Sequence, residues 1–171
     1  YGLILGFNLE EMGSMKLTKL LERLEYKVVC GDADVEVNTL LMDSRKVEAG
    51  DVFVCITGAV RDAHDFVDDV VEKGARAIII EKDVDVALAS SKNVTVVKVE
   101  STRYALACMA AAFYGYPAEK LKTIGITGTK GKTTTTYMVR SVLEGVGIKC
   151  GLIGTIETII GDGTVIPSEN T

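Results

Sequence analysis

The apolar positions change period along the chain, from helix-like to strand-like and back. Leu17, Leu20, Leu21 and Leu24 share one helical face. Tyr26–Cys30 and Val35–Met42 predict strands, and the polar Asp43-Ser44-Arg45 ends the second run. Gly50-Asp51 predicts a turn before a strand at Val52–Ile56, and Gly58 opens a loop. Asp62 then suits a helix N-cap: Ala63, Phe66, Val67, Val70 and Val71 follow at i, i+3, i+4, i+7 and i+8, and Gly74 stops the helix. Ala77–Ile80 predicts a buried strand and Val94–Val99 another. Thr102–Tyr114 predicts a helix capped by Ser101, ended by Gly115-Tyr116-Pro117.

That break is the expected domain boundary. Beyond it the pattern predicts a strand at Lys122–Thr127, a glycine-rich loop, and a helix from about Lys132 to Glu144. Met138, Val139, Val142, Leu143 and Val146 supply the helix's apolar face. A strand near Cys150–Gly154 and a hairpin over Glu157–Ile166, turning at Gly161-Asp162-Gly163, complete the pass. Internal repeats and low-complexity segments are absent from the sequence. Residues 1–14 read as leader or junction residues ahead of a natural start at Met15, with a native N-terminal extension as the alternative.

Composition narrows the function. The net charge of −5 argues against a general nucleic-acid binder, which needs a basic surface, but leaves room for a nucleotide site with a few local donors. Cys30, Cys55, Cys108 and Cys150 lie far apart in apolar runs, so buried free thiols are expected rather than a metal cluster or disulfide framework. That usage fits a reducing cytoplasm. No apolar run reaches transmembrane length, and Tyr1–Phe7 lacks the basic start and cleavage site of a signal peptide.

The densest chemistry lies between Ile124 and Thr136. A strand delivers the chain into a loop where Gly128 and Gly131, lacking Cβ atoms, let backbone N–H groups close around an anion. Thr129 and Lys130 complete the loop. Lys132 at the helix start reaches outer phosphates, the Thr133 hydroxyl stands where Mg²⁺ sits, and Thr134 assists. The helix N-terminus adds unpaired donors and partial positive charge. The spacing, Gly125-x-x-Gly128-x-x-Gly131-Lys132-Thr133, departs from the common phosphate loop, with Ile126 in place of a glycine. The alternative is a glycine-rich strand-to-helix turn with a surface lysine. Such a loop serves a nucleoside triphosphate without naming the reaction.

Thr127-Gly-Thr-Lys-Gly-Lys-Thr133 resembles the ATP loop of the Mur ligases, with Lys130 at their usual Asn. Asp43-Ser44-Arg45, Gly50–Gly58, Asp62-Ala-His-Asp-Phe66 and Gly74-Ala75 resemble that family's N-terminal domain. Arg103-Tyr-Ala-Leu-Ala and Phe113-Tyr-Gly-Tyr-Pro117 resemble its connection to the ATPase domain. Gly154-Thr155 with Ile166-Pro-Ser-Glu-Asn-Thr171 is similar to the MurE type, and the MurF type is the alternative within the family.

The resemblance implies an α/β fold: a small UDP-substrate domain over residues 15–116, then the start of an ATP-binding domain over 117–171. It implies ATP and Mg²⁺ as cofactors and UDP-N-acetylmuramoyl-L-alanyl-D-glutamate and a diamino acid as partners, in peptidoglycan precursor synthesis. Met42, Ser44, the loop 59–61 with Arg61, Asn170 and Thr171 fall at the matching UDP-substrate positions. It also implies that the chain lacks the acidic Mg²⁺ residues, the carbamylated lysine and the amino-acid domain that complete the ligation. Two other functional classes remain open at this point: a kinase or GTPase built on the same loop, and a non-catalytic UDP-sugar-binding module. On residues alone, Asp43-Ser44-Arg45 reads as a polar turn with a surface ion pair, and His64 as a first-turn helix residue.

Overall fold

The computed structural model describes residues 14–58 and 61–167. Contacts divide the chain after Leu121. The short 3₁₀ turn Pro117–Lys120 stays with the first unit, because Glu119 pairs with Arg23 at 2.5 Å and the Tyr116 hydroxyl bonds Glu22. The Gly115–Pro117 break therefore lies within the first unit.

The first unit is α/β, as the sequence predicts. Its elements are β1 (Met15–Lys16), α1 (Leu17–Leu20), β2 (Tyr26–Cys30), β3 (Glu36–Val37), β4 (Leu40–Leu41), β5 (Val52–Val54), α2 (Val67–Glu72), β6 (Ala77–Ile80), α3 (Ala87–Ser91), β7 (Thr95–Val99) and α4 (Thr102–Phe113). Its main sheet runs β2-β7-β6-β5-β4, parallel from β4 to β7, with β2 antiparallel at the edge. Strands buried on both faces read as continuous apolar runs, which is why β5 and β6 show no polar alternation. Val52, Val54, Ala77, Ile79, Val97 and Val99 pack with α1 and α4. Phe53, Cys55, Ile78, Ile80 and Val96 pack with α2 and α3 on the other face.

Several predicted boundaries shift. Val35–Met42 is not one strand. The Asn38 N–H donates to the Gly50 carbonyl and the Thr39 N–H to the Asp51 carboxylate, turning the chain between β3, which pairs with β1, and β4, which joins the main sheet. The helix expected from Asp62 opens as a 3₁₀ turn over Ala63–Phe66 before α2 begins. Gly74 (φ +89°) stops α2 as expected, and Ser101 caps α4 by accepting from the Tyr104 N–H. Only Cys55 is fully buried among the cysteines; Cys30, Cys108 and Cys150 are half-buried, and all four are free.

The second unit holds α5 (Lys132–Gly145) and an antiparallel sheet of β8 (Leu152–Ile153), β9 (Glu157–Ile159) and β10 (Val165–Pro167). The turn at Gly161–Gly163 joins β9 to β10 as predicted, and Gly163 takes φ +93°. Lys122–Thr127 forms no strand: those residues pair with no sheet among the described residues, and Ile124 is exposed. An extended β-rich segment becomes a strand only when a neighbour supplies the ladder bonds. Met138, Val142 and Val146 leave the apolar face of α5 exposed. No helix among the described residues is long and apolar enough to cross a membrane.

Candidate functional site

In the first unit the parallel strands deliver their carboxyl ends to a cleft, the usual ligand position in such sheets. Met42–Arg45 follows β4, and Ile56 and Arg61 follow β5. With Phe53, Ala63 and Phe66 they line a cavity of about 470 Å³. The polar-turn reading of Asp43-Ser44-Arg45 is correct as geometry. The Asp43 carboxylate accepts from the Arg45 N–H at 3.0 Å and from its guanidinium at 2.9 and 2.8 Å. Those bonds hold the Asp43 carboxyl down at about 2. Lys73, at the end of α2, donates to the Ser44 carbonyl at 2.6 Å. The turn that offers Ser44 to the cleft is thus tied at both flanks.

The other wall rests on a polar network that the sequence reading missed. Gly58 donates its N–H to the Arg61 carbonyl at 2.9 Å. A Cβ on Gly58 would lie 2.8 Å from that oxygen, so no side chain fits. Asp62 accepts from Lys82 at 2.5 Å, and from the backbone and ring of His64 at 3.1 and 2.5 Å. Lys82 first, then His64, hold its carboxyl far below the ordinary range. Glu81, just past β6, accepts from the Thr102 N–H and hydroxyl at 2.9 and 2.8 Å and from the Thr57 hydroxyl at 2.9 Å. The Thr102 backbone bond leads in depressing its pKa. Arg103 donates to the Thr57 carbonyl at 3.0 Å. Burial, helped by the Asp62 and Glu81 carboxylates, pushes the Cys55 thiol up to about 12, which leaves it protonated and unreactive. Asx residues flanked by short polar turns were the available signal, but partners 17 to 46 residues apart are invisible to local pattern.

In the second unit the loop enters α5 through Gly131, whose φ of 77° is left-handed. A Cβ there would meet nothing within 4 Å, so conformation and not crowding requires the glycine. No side chain caps α5, and its first N–H groups have no acceptor within the helix. Lys132 folds back to donate to the Gly128 carbonyl at 2.7 Å, which places its ammonium over the loop. Thr129, Lys130 and Thr134 are exposed and Thr133 is half-buried. The structure thus gathers Gly128–Thr134 around one helix end, and gathers Met42, Ser44 and Arg61 around the cleft. Residues 59–60, Asn170 and Thr171 lie outside the described residues. No cluster of three or more His, Cys, Asp or Glu suited to a metal occurs among the described residues.

A parallel α/β unit with a carboxyl-edge cleft, followed by a glycine loop feeding an uncapped helix N-terminus able to receive an anion, defines the chain as an α/β protein. The model of the Mur ligase family catalytic domain matches residues 36–114, and that of the Mur ligase middle domain matches residues 126–171. The chain belongs to the Mur ligase family. It is 52% identical over 148 residues to UDP-N-acetylmuramoyl-L-alanyl-D-glutamate–2,6-diaminopimelate ligase 1 of Clostridium acetobutylicum, covering 86% of this chain and 30% of that one. It is 46% identical over 158 residues to the corresponding ligase of Bacillus velezensis, covering 92% and 31%. A solved UDP-N-acetylmuramoyl-L-alanyl-D-glutamate–2,6-diaminopimelate ligase shares its fold at TM-score 0.61 and 21% identity, covering 92% of this chain and 30% of that one. MurF of Acinetobacter baumannii superposes at TM-score 0.54 and 29% identity, covering 79% and 28%. The chain spans about 30% of the length of the curated relatives it matches.

Proposed function

We propose that this chain supplies the UDP-substrate site and the ATP phosphate loop of a MurE-type ligase, which joins a diamino acid to UDP-N-acetylmuramoyl-L-alanyl-D-glutamate. The first unit then serves as the UDP-substrate domain and the second as the beginning of the ATP-binding domain. The observation that carries this is the junction at Gly131 and Lys132: left-handed glycine, uncapped helix N-terminus and an ammonium over the loop together form a polyphosphate cradle. The relatives' names favour diaminopimelate over lysine as the added amino acid.

The chemistry follows from a poor electrophile. A carboxylate resists attack by an amine, so its phosphorylation by ATP supplies a leaving group. The amine of the diamino acid then attacks the acyl phosphate, and amide and phosphate form. Lys132 offsets negative charge growing on the transferred phosphoryl oxygens, and the amides of Gly131–Thr134 orient them. Mg²⁺, when bound, would take the Thr133 hydroxyl as one ligand and neutralise phosphate charge. In the cleft, Ser44 offers a hydrogen-bond partner and Arg61 a cation for a diphosphate. Asn170 and Thr171 belong to the same proposed substrate set. Four free cysteines suit a reducing cytoplasm and support that location for the ligase.

Nucleotide competition tests the reading. ATP should displace a fluorescent ATP analogue at lower concentration than GTP, and UDP-N-acetylmuramoyl dipeptide should bind without displacing it. A preference for GTP with no affinity for the UDP ligand would favour a GTPase instead.

A further inference from the structure

His64 is the one buried imidazole near the cleft, with a side chain 6% exposed, and it bridges two elements. Its Nδ1 lies 2.5 Å from the Asp62 Oδ1, and its Nε2 lies 3.2 Å from the Glu81 backbone nitrogen. The two contacts fix its tautomer. Ionised Asp62 only accepts, so Nδ1 carries the proton; Glu81 N–H only donates, so Nε2 presents its lone pair. The imidazole thereby ties Asp62, directly after Arg61, to the main chain at the end of β6. Arg61 itself closes back on Gly58 through its carbonyl. Arg61, which lines the cleft, thus sits on a segment whose far end is held by the His64 ring together with the Lys82–Asp62 ion pair and the Ala63 N–H bond to the Ile56 carbonyl.

We propose that His64 is a positioning residue for Arg61: through its Nδ1–H bond to Asp62 it fixes the Arg61 backbone where the cleft takes a diphosphate. The role rests on the reading of the cleft as a UDP-substrate site. His64 acts through Asp62 and not on the substrate itself.

Three variants of the 171-residue chain separate this from a packing role. His64→Phe keeps the ring volume and removes both nitrogens. His64→Asn places an amide N–H where Nδ1 stands, and His64→Gln places an amide oxygen where Nε2 stands. The readouts are calorimetric affinity for UDP-N-acetylmuramoyl-L-alanyl-D-glutamate, melting temperature, and amide exchange at Gly58, whose N–H reports the closure onto Arg61. His64→Phe should lose tenfold or more in affinity. His64→Asn should recover most of that loss and His64→Gln little, whatever their melting temperatures. Affinities that follow melting temperature across the three, or wild-type affinity in His64→Phe, would overturn the proposal. If the wild-type chain binds no UDP ligand, the substrate reading fails and the exchange data decide the positioning role alone. Faster Gly58 exchange in His64→Gln than in His64→Asn would support it, and equal rates would overturn it.

Discussion

Gly131 sits at φ 77°, where an L-residue meets its own carbonyl and a glycine does not. Gly131→Ala should cost roughly 1–2 kcal/mol of loop geometry, equivalent to about tenfold in ATP affinity, with the helix intact. Titration calorimetry and far-UV circular dichroism on one sample check both parts. The loop was legible in the sequence because its determinants are contiguous: a glycine at the junction, a lysine next, a threonine after it. Ser44 and Arg61 needed the family resemblance, since in isolation they are a turn serine and a surface arginine. The Asp62–His64–Glu81 contacts escaped both routes. Glu81 lies 17 residues from His64 and meets it only because β5 and β6 run parallel.

Elements followed the pattern where local signals sufficed. Ser101 at the start of α4 and Gly74 at the end of α2 each act within one turn. Lys122–Thr127 failed as a strand because pairing is not a local property, and the sheet β8-β9-β10 gives it no edge. The five-residue α3 was missed: it has too few turns to show a period, its N-cap Val86 offers no side-chain bond, and the Asp85 carboxylate accepting from the Ala87 N–H is an isolated signal. At this scale Glu81 has a measurable role, because its carboxylate meets the N-terminus of α4. Its pKa is lowered on folding, so it stabilises the native state above the ordinary carboxylate value of 4.5, and the contribution fades as pH falls through the lower folded value. Glu81→Gln should cost about 1 kcal/mol at neutral pH. It should also flatten the loss of stability in acid, which urea unfolding at neutral pH and at a series of pH values below the ordinary carboxylate range would show. A steeper acid loss in the variant would contradict the assignment.

The whole chain contains two units of unequal self-sufficiency. The first buries both faces of β5 and β6 at the centre of its sheet, while the second leaves Met138, Val142 and Val146 in water. Residues 15–121 alone should therefore unfold cooperatively with a melting temperature close to that of the highest transition of the whole chain. Hydrogen exchange should be slowest in β5, β6 and β7 and much faster along α5. Within the first unit, Phe53→Ala should cost about 3–5 kcal/mol, the usual loss for a fully buried aromatic ring. The α/β class was readable from the alternation of strand and helix periods, and the glycine loop from its motif. The division after Leu121 was not, because it depends on Glu119 and Tyr116 folding back to Arg23 and Glu22.

The central claim is that two different nucleotide ligands bind at two separate places on this chain. Calorimetric titration of wild type and Lys132→Ala with ATP, and then with UDP-N-acetylmuramoyl-L-alanyl-D-glutamate, tests it most directly. The account predicts that the variant loses ATP binding by tenfold or more and binds the UDP ligand with unchanged affinity. Undiminished ATP affinity in Lys132→Ala, or a UDP ligand that competes with ATP for one site, would contradict it.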